Sequence, residues 1–118
     1  MLLVKTRIGP SKIHGIGLFA AEFIPQGAEV WRFSAMIDRA DDPTQDPSLH
    51  YAYTSKQTGR VILPGDDAKY INHSTSPNVG TRYETGVEED INFALRDIKE
   101  GEELTIDYTT FAQEDTDF

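Results

Sequence analysis

The feature that most constrains the fold is the absence of any long stretch with the 3.6-residue apolar period of an amphipathic helix. Short runs rich in β-branched and aromatic residues recur instead, and Gly or Pro residues separate many of them. The sequence therefore predicts a mainly β domain built from many short strands. The predicted strands are residues 2–8, 17–21, 29–33 continuing into 36–39, 60–63, 79–84, 90–95 and 103–106.

Helical structure is predicted at only two places. Residues 47–55 form the longer helical segment, and residues 66–72 allow a single turn. Residues 41–47 contain two Pro and three Asp and are predicted to form a loop.

One internal similarity stands out. In residues 20–30 and 94–104, Ala, Ile and Gly recur at a constant offset of 74 residues. Gly supplies the turn conformation with positive φ that other residues avoid. The two segments are therefore predicted to be similar strand–turn–strand corners of one β fold, because two copies are too few for a solenoid.

Length and composition exclude several classes of protein. The 118 residues suit one domain, and 38% hydrophobic residues together with 9 Gly are typical of globular proteins. Without Cys, disulfides, thiolate zinc sites and cysteine nucleophiles are excluded. The first residues do not resemble a signal peptide, and no apolar run approaches the ~20 residues of a membrane span. We therefore expect a cytoplasmic protein without a membrane partner.

The charge distribution bears on partners. The formal charge is −9, and residues 84–118 carry twelve acidic and two basic side chains. Direct nucleic-acid binding is not expected, because phosphate neutralisation needs clustered Lys and Arg. The acidic third of the chain would attract a basic partner, such as a lysine-containing peptide. The alternative is that these residues form a solubilising surface, followed by an acidic tail at residues 113–118 beyond a domain of residues 1–112.

Three segments carry unusual residues for a small β domain. They read His-Gly-Ile-Gly-Leu-Phe-Ala at residues 14–20, Tyr-Ile-Asn-His-Ser at residues 70–74 and Gly-Glu-Glu-Leu-Thr-Ile-Asp-Tyr at residues 101–108. Each alone has an ordinary interpretation, respectively a tight turn, a hydrogen-bonded turn and a core tyrosine.

In this order and spacing, the three segments resemble the SET domain of protein lysine methyltransferases. The resemblance covers roughly residues 5–110 and is to the minimal, stand-alone type found in bacteria and large viruses. It implies a β-clip-like fold of several small sheets, with one or two short helices and the two corners on different sheets. It also implies a C-terminal pseudoknot that brings Asn72 and His73 to Tyr108.

The resemblance implies S-adenosyl-L-methionine as the cofactor and methyl transfer to a protein lysine as the reaction. Tyr108 would be the catalytic residue, with its hydroxyl near the transferring methyl group. The residues expected to bind the cofactor are Gly15, Ile16, Gly17, Leu18, Asn72, His73 and Tyr108. The weaker candidates for the substrate channel are Tyr51, Tyr53, Tyr70, Ile106 and Phe111.

Methyl transfer from a sulfonium needs no metal, so positioning and electrostatics would supply the catalysis. Many relatives close the lysine channel with a Cys-rich zinc module, which a chain without Cys cannot form. Phe111, Phe118 or the second subunit of a homodimer would have to close it instead.

Three alternatives stay open. The first is an inactive SET fold that binds the cofactor or a basic peptide without turnover. A metal-binding module would have to use His14, His50 and His73, whose spacing does not resemble that of metal ligands. The last is a structural interaction domain. The sequence leaves open the protein substrate and the number of methyl groups added.

Overall fold

The computed structural model describes residues 1–33, 53–59, 61–62, 64, 66–84 and 90–112. Nine short strands and two 3-10 helices form within these residues, and the predicted mainly β fold is confirmed. The 3-10 helices are Asp67–Tyr70 and Tyr108–Thr110. The strands are β1 (Thr6–Pro10), β2 (Ile16–Ala20), β3 (Glu29–Arg32), β4 (Tyr53–Thr54), β5 (Val61–Ile62), β6 (Asn72–His73), β7 (Val79–Arg82), β8 (Ile91–Ala94) and β9 (Thr105–Ile106).

The first strand lies later in the chain than predicted. The sequence predicts residues 2–8, whereas β1 begins at Thr6 and continues through Pro10, paired antiparallel with β2. Pro10 is tolerated because it ends a strand of a two-stranded sheet, where its missing N–H breaks little of the ladder. Leu2 instead forms an isolated bridge with Trp31 of β3.

The predicted helix over residues 47–55 is wrong where the structure describes it. Tyr53–Thr54 is β4, which pairs antiparallel with β5, and Ser55 forms a further β-bridge. The Tyr53 side chain is buried and Ser55 bridges Ala112, so tertiary packing outweighs the local helical pattern here. Residues 34–52 lie outside the described residues, and with them the strand predicted at residues 36–39 and the loop at residues 41–47.

The single turn predicted near residues 66–72 is present as the 3-10 helix Asp67–Tyr70. The Asp66 side chain caps its start by accepting the Ala68 N–H, and Asn72 already belongs to β6. Among the described residues, no helix is long and apolar enough to span a membrane.

The central sheet contains the predicted threading of the chain. Its five strands lie in the order β3-β8-β7-β9-β6, and β9 pairs in parallel with both β6 and β7. Because residues 74–78 connect β6 to β7, this connection crosses the segment that contains β9. The Asn78 side chain fixes the crossing, since it accepts the Thr105 N–H at 2.9 Å and donates to the Glu103 carbonyl at 2.8 Å.

The two predicted corners contact each other. Ile24 and Ile98 exchange two backbone hydrogen bonds of 2.8 Å, and both side chains are completely buried. Gly27 and Gly101 turn the chain with φ of 87° and 92°, and each donates its N–H to the alanine carbonyl of the other corner. These reciprocal bonds give the corners an approximate two-fold relation, while β2 and β8 lie on different sheets as expected.

The hydrophobic core lies between these sheets and includes both corners. The start of β2 and the end of β9 lie at one edge of this core, and the candidate site lies there. The completely buried members of the core include Leu18, Ala20, Ile24, Val30, Ile62, Val79, Ala94, Ile98 and Leu104.

Candidate active site

A cavity of about 420 Å³ lies between the glycine-rich segment, which is residues 14–17 at the start of β2, and the strands β6, β9 and β8. Its walls are mainly apolar and aromatic. Cavities of this kind, with a few convergent polar groups, are where small-molecule sites usually form. The candidate site residues that line it are Gly15, Ile16, Tyr53, Tyr70, Asn72, His73, Ile106, Tyr108 and Phe111.

Asn72 joins β6 to the glycine-rich segment. Its side-chain Nδ2 lies 3.0 Å from the His14 carbonyl oxygen and 3.3 Å from that of Ile16. The same atom lies 3.0 Å from Oε2 of Glu103 and 3.1 Å from Oγ of Ser11. Asn72 is buried, so this one amide sets the position of the segment that lines the cavity.

Glu103 occupies the space beneath Gly17. Ser11 Oγ donates to its carboxylate, with 2.9 and 2.8 Å to the two oxygens. A Cβ built on Gly17 would lie 2.5 Å from Glu103 Oε2 and 3.0 Å from the Ser11 Cβ. The second glycine of the Gly-x-Gly pattern is thus required by the close approach of this carboxylate, beyond any need for a turn.

Tyr108 lies at the centre of the cavity wall and is held from two sides. Its hydroxyl donates to the Ile71 carbonyl, and its backbone N–H donates to His73 Nδ1 at 3.0 Å. Burial raises the pKa of Tyr108 to about 12. The hydroxyl is therefore protonated near neutral pH.

His73 bridges Tyr108 and the helix cap beside it. Its ring centroid lies 5.2 Å from that of Tyr108, and its Nδ1 lies 3.9 Å from an Asp107 carboxylate oxygen. The Thr109 hydroxyl and backbone N–H both donate to this carboxylate and hold the pKa of Asp107 below its usual value. Asp107 is therefore ionised at neutral pH and caps the Tyr108–Thr110 helix.

The wall continues beyond Tyr108 as a series of aromatic contacts. The Phe111 ring centroid lies 5.7 Å from that of Tyr108 and 4.7 Å from that of Tyr53. The Tyr53 hydroxyl donates to Asp90 Oδ1 across 3.4 Å. The cavity therefore has a glycine-segment end and an Asp90 end, with Tyr108 between them.

The structure brings most of the predicted site residues together, with three exceptions. Gly17 and Leu18 do not line the cavity, and the Leu18 carbonyl accepts the Leu104 N–H at 2.8 Å. Tyr51 lies outside the described residues.

The sequence interpretation missed several residues of the site. Glu103 lies within the quoted C-terminal segment, and its intermediate burial beside buried neighbours is visible only in the fold. Ser11 gives no sequence signal. Asp90 and Asn92 alternate with apolar residues in a predicted strand, which is typical of a strand with one exposed face, yet both are buried.

The arrangement suits positioning chemistry. No group of three or more His, Asp or Glu in the described part of the chain is placed to hold a metal ion. The protonated Tyr108 hydroxyl, backbone carbonyls and aromatic walls can instead orient a cationic or amine-bearing ligand.

Comparisons with known proteins agree with this geometry. Residues 15–109 match the family profile described as the SET domain. Over 112 residues the chain is 36% identical to a Schizosaccharomyces pombe histone-lysine N-methyltransferase, H3 lysine-4 specific, and 34% identical to human histone-lysine N-methyltransferase 2B. These alignments cover 85% and 83% of this chain but only 12% and 4% of the relatives.

A solved structure of Chaetomium thermophilum Polycomb Repressive Complex 2, bound to S-adenosylmethionine in an autoinhibited conformation, is similar in fold. The TM-score is 0.68 at 26% identity, and the match covers 93% of this chain and 16% of that one.

Proposed function

Because the chain belongs to the SET domain family, we propose that it transfers a methyl group from S-adenosylmethionine to the side-chain amine of a protein lysine. The observation that carries the proposal is the meeting of β6 and β9, which brings Asn72, His73 and Tyr108 to one cavity. The activity named for the histone-lysine methyltransferase relatives, and the S-adenosylmethionine bound by the structural neighbour, support it.

The glycine-segment end of the cavity fits the methyl donor. A Cβ built on Gly15 would meet no atom within 4 Å, so the backbone there is open to a ligand. Gly15, Ile16, Asn72 and His73 would hold the cofactor by backbone and side-chain hydrogen bonds. When bound, S-adenosylmethionine would supply a methyl group on a cationic sulfonium: the neutral lysine amine would attack the methyl carbon in line, the C–S bond would break, and S-adenosylhomocysteine would leave as a neutral thioether.

Gly17 and Leu18 have a different place in this proposal. Because they lie off the cavity, they act by holding the segment in place through β1 and Glu103. Direct contact of these two residues with the cofactor stays a prediction.

The apolar and aromatic wall beside Tyr108 would favour the neutral form of the attacking amine. The ordinary pKa of lysine is ~10.4, and an apolar environment disfavours the ammonium form. Tyr53, Ile106 and Phe111 provide that environment beside Tyr108. The Tyr108 hydroxyl is protonated at neutral pH, so it acts as an orienting dipole rather than as a base.

The substrate we propose is a basic protein or peptide. The acidic balance of residues 84–118 would attract it, and relatives of this chain are named as histone-lysine N-methyltransferases. The cytoplasmic location and the homodimer stay predictions.

Binding of the demethylated cofactor is the first test. S-adenosylhomocysteine at 100 times its Kd should stabilise the protein by ~2.7 kcal/mol in a thermal-shift assay. Stabilisation by zinc instead would favour the metal-binding alternative, and stabilisation by neither ligand would favour a structural domain.

Turnover is tested separately, because an inactive SET fold would pass the binding test. The protein is incubated with a cell lysate and labelled S-adenosylmethionine, and labelled peptides are sequenced by mass spectrometry. We expect the label on lysine residues in basic sequences. Cofactor binding without any labelled lysine would support the inactive alternative.

A further inference from the structure

Three polar side chains at the Asp90 end of the cavity have no role in the mechanism above. Asp90 directly precedes β8, and Asn92 is the second residue of that strand. Trp31 of β3 is the pairing partner of Asn92. All three line the cavity, and their exposed fractions are 1%, 8% and 2% for Asp90, Asn92 and Trp31.

Two of these side chains carry polar atoms that no described residue satisfies. Asn92 Oδ1 and Trp31 Nε1 have no hydrogen-bond partner among the described residues. Buried polar atoms are nearly always paired, because leaving them unpaired costs free energy. On a cavity wall, a ligand donor is the natural partner for the Asn92 oxygen, whereas the indole N–H of Trp31 would need an acceptor.

The buried carboxylate of Asp90 sets the chemistry of this ligand. Asp90 and Asn92 together present carboxylate and amide oxygens, which accept hydrogen bonds. The recess at the Asp90 end of the cavity is lined by Asp90, Asn92, Trp31 and Tyr53. Its two adjacent acceptors suit a group with several N–H donors. A lysine ammonium is such a group, and it would have to lose a proton to solvent before it attacks the methyl donor; a carboxylate or phosphate would be repelled by the Asp90 carboxylate.

The recess adjoins the centre of the cavity. The Tyr53 hydroxyl lies 3.4 Å from Asp90, and the rings of Tyr53, Phe111 and Tyr108 contact one another in series. A side chain that enters along this wall would therefore reach Asp90 and Asn92 beside Tyr108.

We propose that Asp90 and Asn92 are specificity-determining residues, which bind the substrate amine through its N–H groups. The inference rests on the proposed function, since it places the substrate amine on the Asp90 side of Tyr108, next to the position assigned to the methyl group. Each methyl group on a lysine nitrogen removes one N–H donor. The recess should therefore prefer an unmodified lysine to a dimethylated one.

Equilibrium binding tests this without requiring turnover. The probes are two arginine-flanked peptides with a single lysine, identical except that the lysine is unmodified or dimethylated. Their Kd values are measured by calorimetry on wild-type protein saturated with S-adenosylhomocysteine. Because hydrogen bonds to charged groups are strong, we expect the unmodified peptide to bind about tenfold more tightly.

Variants then assign the preference to the two residues. Asn92→Leu and Asp90→Leu remove an acceptor at similar volume, and each should reduce the preference to within about twofold. Asp90→Asn keeps an acceptor oxygen and should retain most of it. Stabilisation by S-adenosylhomocysteine, measured on each variant, reports folding and cofactor binding independently of the amine.

Equal Kd values for the two peptides on wild-type protein would overturn the inference, and so would failure of both peptides to bind. A preference that persists in Asn92→Leu and Asp90→Leu would also overturn it. In each case, intact cofactor binding and labelling of lysates would leave the proposed function standing.

Discussion

At the scale of single residues, Tyr108 is the most constrained position of the site. Its backbone N–H and hydroxyl contact His73 and Ile71, which lie in and beside β6, so one residue joins the two threaded segments. Burial favours its neutral form. Removing the hydroxyl alone, by Tyr108→Phe, would remove the bond to Ile71 and keep the backbone bond to His73, so stability, cofactor binding and turnover of this variant have to be measured separately.

The raised pKa of Tyr108 predicts how stability depends on alkaline pH. The tyrosine pKa is about 10 in an unfolded chain and about 12 in the fold. Above pH 10 the unfolded chain therefore loses this proton first, and stability falls until about pH 12. We expect the loss of unfolding free energy between pH 9 and pH 11 to be smaller in Tyr108→Phe than in wild type. The check is chemical denaturation at both pH values, and identical losses would remove Tyr108 as the cause.

Two glycines that face each other across β1 and β2 give a matched pair of substitutions. A Cβ on Gly17 would lie 2.5 Å from a Glu103 oxygen, whereas a Cβ on Gly9 would lie an ordinary 3.5 Å from the Phe19 ring. We expect Gly17→Ala to destabilise the protein by ~1–3 kcal/mol and to weaken S-adenosylhomocysteine binding roughly tenfold. Gly9→Ala should leave the Kd nearly unchanged. Equal effects of the two substitutions on the calorimetric Kd would contradict this assignment.

At the scale of elements, the strands that the sequence predicts best are those with local signals. The predicted strands at residues 79–84 and 90–95 contain β7 and β8. They could be predicted because each run is rich in β-prone residues and is flanked by loops. Residues 47–55 show the limit, since neither the pairing of Tyr53–Thr54 with β5 nor the distant bridge of Ser55 to Ala112 is visible in the local pattern. The mutual contact of the two corners is likewise invisible in the repeat, which shows only that the corners are similar.

The candidate site likewise contains residues that could be predicted from the sequence and residues that could not. The resemblance to a known family supplied Asn72, His73 and Tyr108, whose contacts come from segments 35 residues apart. Glu103 and Asp90 could not be predicted as parts of the site. Only the fold places Asp90 on the cavity wall and the Glu103 carboxylate against Gly17.

The approximate two-fold relation of the corners predicts matched energetics. Ile24 and Ile98 are both completely buried and exchange equivalent backbone hydrogen bonds. Ile24→Val and Ile98→Val should each cost about 0.5–1.5 kcal/mol and should agree within ~0.5 kcal/mol. Because the residues touch, the double substitution should depart from the sum of the two. Urea denaturation of the three variants is the measurement, and strongly unequal single costs would contradict the equivalence.

At the scale of the whole molecule, the charge distribution predicts how a substrate is selected. The formal charge is −9, and twelve acidic side chains lie in residues 84–118. Long-range attraction of a basic peptide is screened by salt, whereas hydrogen bonds in a closed cavity are screened less. We expect kcat/KM for an arginine-flanked lysine peptide to fall as salt rises from about 50 to about 500 mM, with the cofactor Kd changing less. A neutral lysine peptide serves as the control. Equal kcat/KM for both peptides at both salt concentrations would leave the acidic residues without a role in selection.

The most direct test of the central claim is mass spectrometry of a lysine peptide after incubation with the purified protein and S-adenosylmethionine. We expect the wild-type protein to add methyl groups to the lysine nitrogen, at a rate at least about tenfold higher than Tyr108→Phe. Both proteins should bind S-adenosylhomocysteine with similar Kd. A peptide that stays unmodified while the wild-type protein binds the cofactor, or equal rates for the two proteins, would contradict methyl transfer centred on Tyr108.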